Sequence, residues 1–183
     1  MRSCSPSLLL FLLTLALPLV ARAQETYTSP VFQVTLQHPA GWRRVEGYEE
    51  KYGGADGFFQ LSAMDGRGWT IEEACKLQAG HHLRPYGSSP QLERRQVQGQ
   101  EACVIWPSED QAQDMKGQAA LLVRYPQPIQ IRGDVYRYFI LWADKNHIAE
   151  IAKTLQFAAS SESSYTGPDW RHPRHWNLEM KRE

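Results

Sequence analysis

The chain has 183 residues, of which 20 are basic and 20 acidic, and its hydrophobic fraction is 42%. Such a balance excludes the strongly basic face that nucleic acid demands and gives no support for binding anionic lipid. The length suits one hydrophobic core rather than two.

Residues 1–23 read as a signal peptide. Arg2 opens it, an apolar run from Leu8 to Val20 follows, and Ala21-Arg22-Ala23 supplies the small-x-small cleavage pattern. A membrane helix needs roughly 20 apolar residues, and this run is shorter. Cys4 precedes the run, where a lipoprotein cysteine would follow it. The expected product is therefore secreted or held in the cell envelope, with no membrane span after cleavage. Loss of Arg2 and Arg22 leaves 18 basic residues against 20 acidic, a net charge near −2.

After a polar lead-in from Thr26 to Pro30, Val31 to Leu36 alternates apolar and polar residues and predicts a strand. His38 to Trp42 has turn chemistry, Trp42 to Val45 suits a short exposed strand, and Gly53 to Gly57 is a flexible turn. Phe58 to Ala63 predicts the next strand. Thr70 with Glu73 three residues on has capping-box spacing, so a helix begins at Ile71 and stops near Gly80. Leu92–Val97 and Glu101–Trp106 flank Gln98-Gly99-Gln100 and form a hairpin. Pro107 ends it, and Ser108 to Gly117 is a polar loop. Gln118 to Tyr125 and Val135 to Trp142 are nearly continuous apolar runs, expected to pair at the sheet centre with both faces covered. Pro126 and Pro128 should bound the first. Asp144 is the expected N-cap of a last helix whose stripe is Ile148, Ile151, Ala152 and Leu155, with Phe157 closing the core. Residues 159–183 are Ser-rich at their start and read as a disordered tail.

The order of elements predicts one α+β domain over residues 24–158: a mostly antiparallel sheet flanked by two helices. Removing Cys4 with the leader leaves Cys75 and Cys103. An even pair in an exported chain reads as a disulfide, worth roughly 3 kcal/mol by loop-closure entropy. The alternative is two separate buried thiols.

From Phe32 to Phe157 the chain resembles a small exported module of Gram-positive bacteria. The segments carrying the likeness are Trp106-Pro107-Ser108-Glu109-Asp110-Gln111, Met115-Lys116-Gly117-Gln118-Ala119-Ala120, Tyr138 to Asp144, and Ile148 to Phe157. In some relatives this module accompanies sensor peptidases of the M56/BlaR1 type. The opening Phe32-Gln33-Val34-Thr35-Leu36-Gln37-His38-Pro39-Ala40-Gly41-Trp42 is similar to the start of PsbP/Mog1-like domains. The resemblance implies an α/β/α sandwich and a binding scaffold. It carries no peptidase activity across, because the HExxH motif of such enzymes does not occur in the chain.

Candidate site residues cluster in the loop 107–117. Ser108, Glu109, Asp110, Gln111, Asp114 and Lys116 gather polar groups there; Trp106, Trp142 and Tyr86 either pack at the core edge, as aromatic residues usually do, or form an aromatic recognition surface. Calcium would need six to eight oxygens, and the loop lacks the glycine and terminal glutamate of an EF-hand. His81-His82 diverge by about 100° on a helix, and Pro173 breaks the spacing of His172 and His175, so neither pair makes a metal site. Cys75 with His81 or His147 is the only Cys/His option for a nucleophile, and a disulfide would silence it. No nucleophile elbow or phosphate-binding glycine loop occurs. These readings converge on a non-catalytic binding module for a protein or envelope component, without cofactor. Its binding residues are expected to be Trp106, Ser108, Glu109, Asp110, Lys116 and Trp142. The alternatives are an extracytoplasmic regulatory domain partnering a membrane metallopeptidase, and a hydrolase with an unrecognised site.

Overall fold

A computed structural model of the chain describes residues 23–158. The leader and tail expectations lie outside the described residues.

Two antiparallel sheets and two helices make an α+β fold. The small sheet holds β1 (Gln24–Ser29), β2 (Val34–Pro39) and β10 (Gln156–Phe157) in the order β1-β2-β10. The large sheet is formed by β3 (Arg43–Arg44), β4 (Lys51–Gly54), β5 (Gly57–Met64), β6 (Gln91–Val97), β7 (Gln100–Trp106), β8 (Gln118–Ile131) and β9 (Asp134–Asp144). Its spatial order is β3-β4-β5-β9-β8-β7-β6. Helices α1 (Ile71–Ala79) and α2 (Ile148–Thr154) follow β5 and β9 in the chain.

The paired apolar runs set the layers. Successive residues of a strand point to opposite faces. Along β8, Ala119, Leu121 and Val123 join one core, whereas Ala120 and Leu122 join a second. Along β9, Phe139, Leu141 and Ala143 face the first core, and Tyr138 and Ile140 the second. The register sets Leu121 opposite Leu141 and Leu122 opposite Ile140. On the first face, Val34 and Leu36 of β2 with Ile148 and Ile151 of α2 cover the sheet. The second face is closed by Ile71, Ala74 and Cys75 of α1 together with Tyr86. The predicted pairing and the two flanking helices are thus present.

Helix α1 starts where the capping box places it. The Thr70 hydroxyl accepts from the Glu73 N–H at 3.3 Å, and the Glu73 carboxylate accepts from the Thr70 N–H at 2.7 Å. Cys75 and Cys103 are joined as a disulfide, with Cα atoms 6.5 Å apart, which fastens α1 to β7.

Several boundaries differ from expectation. The polar lead-in is strand β1, an edge strand that needs only Tyr27 and Ser29 turned inward. Gln33 takes a positive φ of 53°, so the first predicted strand begins at Val34 and runs to Pro39. Residues 51–54 form β4, which leaves Ala55-Asp56 as the turn into β5. Pro126 and Pro128 do not end β8. The ladder to β9 is irregular between Arg124 and Ile129, and a bulge spares the prolines from donating. The cap of α2 is His147, not Asp144. Asp144 Oδ1 accepts instead from the Asn146 N–H at 2.8 Å, within the turn that precedes the helix.

Candidate functional site

The polar loop after β7 is tied down by its own side chains. Ser108 N–H donates to the Tyr86 carbonyl at 2.9 Å. The Ser108 hydroxyl donates to Asp110 Oδ1 at 2.5 Å, and the Asp110 carboxylate also accepts from the Ser88 N–H at 3.1 Å. These bonds, led by that from Ser108, hold the Asp110 carboxyl well below its ordinary value of 3.8. Gln111 Nε2 donates to the carbonyls of Pro85 and Gln118 at 2.8 and 2.9 Å, and its Oε1 accepts from the Gly117 N–H at 2.9 Å. Ser108, Asp110 and Gln111 therefore stitch the loop to residues 85–89. A Cβ at Gly87 would lie 2.2 Å from Ser108 Oγ, so only glycine admits this closeness. Glu109, Asp114 and Lys116 stay exposed.

The two tryptophans are not brought together. Trp142 lies beside the α1 core, and its Nε1 donates to the Tyr86 hydroxyl at 3.0 Å. Gln78 Nε2 donates to that hydroxyl too, at 3.0 Å. Burial pushes the Tyr86 phenol up to about 12, against the effect of these two bonds. Trp106 packs against the opposite core, and its Nε1 donates to Glu93 at 2.8 Å. Trp106 and Trp142 thus serve opposite faces of one sheet, because β7 and β9 present them on different sides of the pleat. Tyr86 is fully buried and is a core residue with a polar tip.

A second polar corner escaped sequence reasoning. Trp42 is buried, and its Nε1 donates to Asp56 Oδ1 at 2.8 Å. His147 Nε2 lies 3.0 Å from the Asp56 carbonyl and 3.5 Å from Asp56 Oδ2. The Trp42 and His147 rings meet edge to face at 5.1 Å. Gly54 and Gly57 let the rings close in: a Cβ at Gly54 would stand 2.5 Å from Trp42 Cδ1, and one at Gly57 2.8 Å from His147 Cδ2. Three distant segments converge here. The sequence signal was slight, a glycine-rich turn between a tryptophan and a histidine far apart in the chain.

An open depression lies at this corner. The β4–β5 turn, Val45, Lys51, Phe58, Lys116 and Asp144 line it. Asp56 is engaged by Trp42 and His147, and Asp144 by the Asn146 N–H. Lys51 Nζ sits 4.3 Å from the Tyr48 ring centre and 5.1 Å from that of Phe58. Burial lowers its pKa. No ion pair forms at Lys51 or Lys116 among the described residues. The depression thus brings two ammonium groups and two carboxylates together, with Asp56 and Lys116 exposed.

Among the described residues, no group of three or more His, Cys, Asp or Glu side chains could hold a metal ion. His81 and His82 stand with ring centres 4.4 Å apart; burial and then the neighbouring His82 lower the pKa of His81. His172 and His175 lie outside the described residues. Cys75 is spent in the disulfide and faces the α1 core, on the other side of the sheet from α2, which His147 caps. No described helix is long and apolar enough to cross a membrane.

Comparison with protein-family models and with curated proteins gives no match. Among solved structures, the chain is similar to the solution structure of cyanobacterial PsbP from Synechocystis. The identity is 12%, the TM-score 0.41, and the match covers 76% of this chain and 95% of that one. Both values are too low for the likeness to bear on function. The fold class rests on the chain's own strand order and helices.

Proposed function

We propose that the chain is a PsbP-like, non-catalytic binding module that works outside the cytoplasm and engages a protein or envelope component. The contact surface is the corner formed by the β4–β5 turn, Lys116 and Asp144. The observation that carries this reading is how the polar groups are used. Ser108, Asp110, Gln111, Asp56 and Asp144 are all engaged in holding loops in place. They make a rigid frame, and Lys51 and Lys116 stand on it without ion-pair partners among the described residues. Fixed loops carrying spare polar groups suit recognition better than chemistry, which would need a nucleophile and a base in reach of each other.

The open edge of the large sheet is a poorer docking place. Strand β6 carries Glu93, Arg94 and Arg95 in succession. Charges along an edge discourage addition of another strand. Arg94 and Arg95 are moreover paired, with Glu72 and Glu93.

Site-specific photo-crosslinking in the native producer tests the reading. A photoreactive side chain at position 116 is expected to capture one discrete species. The same group at position 77, exposed on α1, is expected to capture none. Identical products from both positions, or none from position 116, would contradict it.

A further inference from the structure

We infer that Gln24 is a modification site: once the leader is cut after Ala23, its side chain closes on the new amino terminus to give pyroglutamate. The inference rests on the export reading and names what becomes of the first residue of the processed chain.

Two independent observations meet at this residue. The cleavage pattern Ala21-Arg22-Ala23 ends directly before Gln24. Strand β1 begins at Gln24. The first strand therefore starts where the leader stops, and the cut leaves glutamine as the first residue. Glutamine carries what ring closure needs. The α-nitrogen attacks Cδ of the same residue, and the N–Cδ bond forms. The Cδ–Nε2 bond breaks, and ammonia leaves with the proton that the amine gives up. The product is a five-membered lactam, and no oxidant or co-reactant takes part. Attacking and leaving groups sit in one residue, so proximity favours the step. The attacking form is the neutral amine, and an ordinary α-amino group, which titrates at about pH 8, supplies part of it.

The strand geometry leaves that nitrogen free. Gln24 lies opposite Pro39 in the β1–β2 register, and proline has no N–H to give. The neighbouring pair is bonded, with the Ala40 N–H donating to the Ala23 carbonyl at 2.9 Å. Bonded and unbonded pairs alternate in an antiparallel ladder. Gln24 is thus unbonded to β2 and turns its N–H and C=O away from it. On the far side of β2, the Gln37 N–H donates to Thr154 Oγ1 at 2.9 Å, the phase that this alternation requires. The Gln24 side chain is exposed and has no hydrogen bond among the described residues. Turning its backbone amide into an amine and then into a lactam therefore removes no bond from the ladder. The cut itself removes the Ala23 acceptor, and exposed Ala40 gives its N–H to water instead.

Closure also protects an open end. Chain termini fray first, and among the described residues β1 has one neighbour in its sheet, β2. Aminopeptidases grip a free α-ammonium group, which the lactam no longer offers. The protected strand supplies Tyr27, whose ring packs on Tyr52 and Phe59, and Ser29, whose hydroxyl accepts from the Phe32 N–H at 3.2 Å.

The test is mass spectrometry on the chain purified from its native producer, with free amines dimethylated on the intact protein before tryptic digestion. The expected first peptide spans residues 24–43, is lighter than its sequence by one ammonia, and carries no label at its amino end. The same peptide with a labelled amine and no loss of ammonia overturns the inference and leaves the export reading intact. A product that begins at any other residue, Met1 included, overturns both. A second measurement reads the protection. Gln24→Asn keeps an amide, but closure there would need a strained four-membered ring, so the amine stays free. The substitution is at an exposed position, and the variant should unfold at the same urea concentration as the parent. Aminopeptidase should release residues from it at least tenfold faster than from the parent. Equal release from the two chains would overturn the protective role.

Discussion

The two faces of the large sheet are built by different means. Among the described residues, nineteen buried side chains form one continuous apolar core toward β2 and α2. Toward α1 there are only ten, and among them are both disulfide cysteines and a tyrosine whose hydroxyl takes two hydrogen bonds. The first face is held by area removed from water. The second supplements a thinner core with a covalent link and a buried polar node. A small domain with one helix on a face has little apolar area there, and a disulfide compensates by restricting the unfolded chain.

Neighbouring residues of β8 sharpen this contrast most. Leu121 and Leu122 are both fully buried, one in each core. Leu121→Ala should cost about 4 kcal/mol, because β2 and α2 leave little scope to collapse on the void. Leu122→Ala should cost about 3 kcal/mol, since a single helix can settle into the space. Urea unfolding of both variants measures the difference, and a reversed order would break the contrast.

Replacing Cys75 and Cys103 together by alanine should lower stability by about 3 kcal/mol, again by urea unfolding. Hydrogen exchange should then quicken mainly in α1 and residues 81–90, while β2 and α2 keep their protection. Uniform loss of protection would mean that the faces are one cooperative unit.

Tyr86→Phe removes the acceptor used by Gln78 and Trp142. Two donors lose their partner, and the expected cost is about 2 kcal/mol. The indole fluorescence of Trp142 should shift with it.

The smallest effect concerns pH. The Asp110 carboxyl is held below its ordinary value by Ser108 and Ser88. A depressed carboxyl contributes stability above its unfolded pKa of 3.8 and loses it as pH falls through the folded value. Asp110→Asn should therefore flatten the stability profile below about pH 4. Profiles of equal slope would remove Asp110 from the loop's support.

Local chemistry made much of the fold readable. Thr70 and Glu73 marked the start of α1, the glycine turn at 98–100 marked the β6–β7 hairpin, and the runs at 118–125 and 135–142 marked strands buried on both faces. Strand β1 stayed hidden because an edge strand needs few apolar residues. The prolines in β8 misled because a bulge excuses them from the ladder. The site was less legible than the fold. Sequence places Ser108 and Asp110 in a polar loop, but their partners Tyr86 and Ser88 lie 22 residues away. The depression depends on Lys51 of β4, Asp144 of β9 and Lys116 of the loop before β8 meeting, a juxtaposition that no short motif announces.

Lysine-selective labelling, read by mass spectrometry, addresses the proposed contact surface most directly. Protein in its native surroundings is compared with the purified chain. The account predicts that Lys51 and Lys116 are labelled markedly less in the native setting, while Lys76 and Lys153 label equally in both. Equal labelling of Lys116 in the two settings would contradict it.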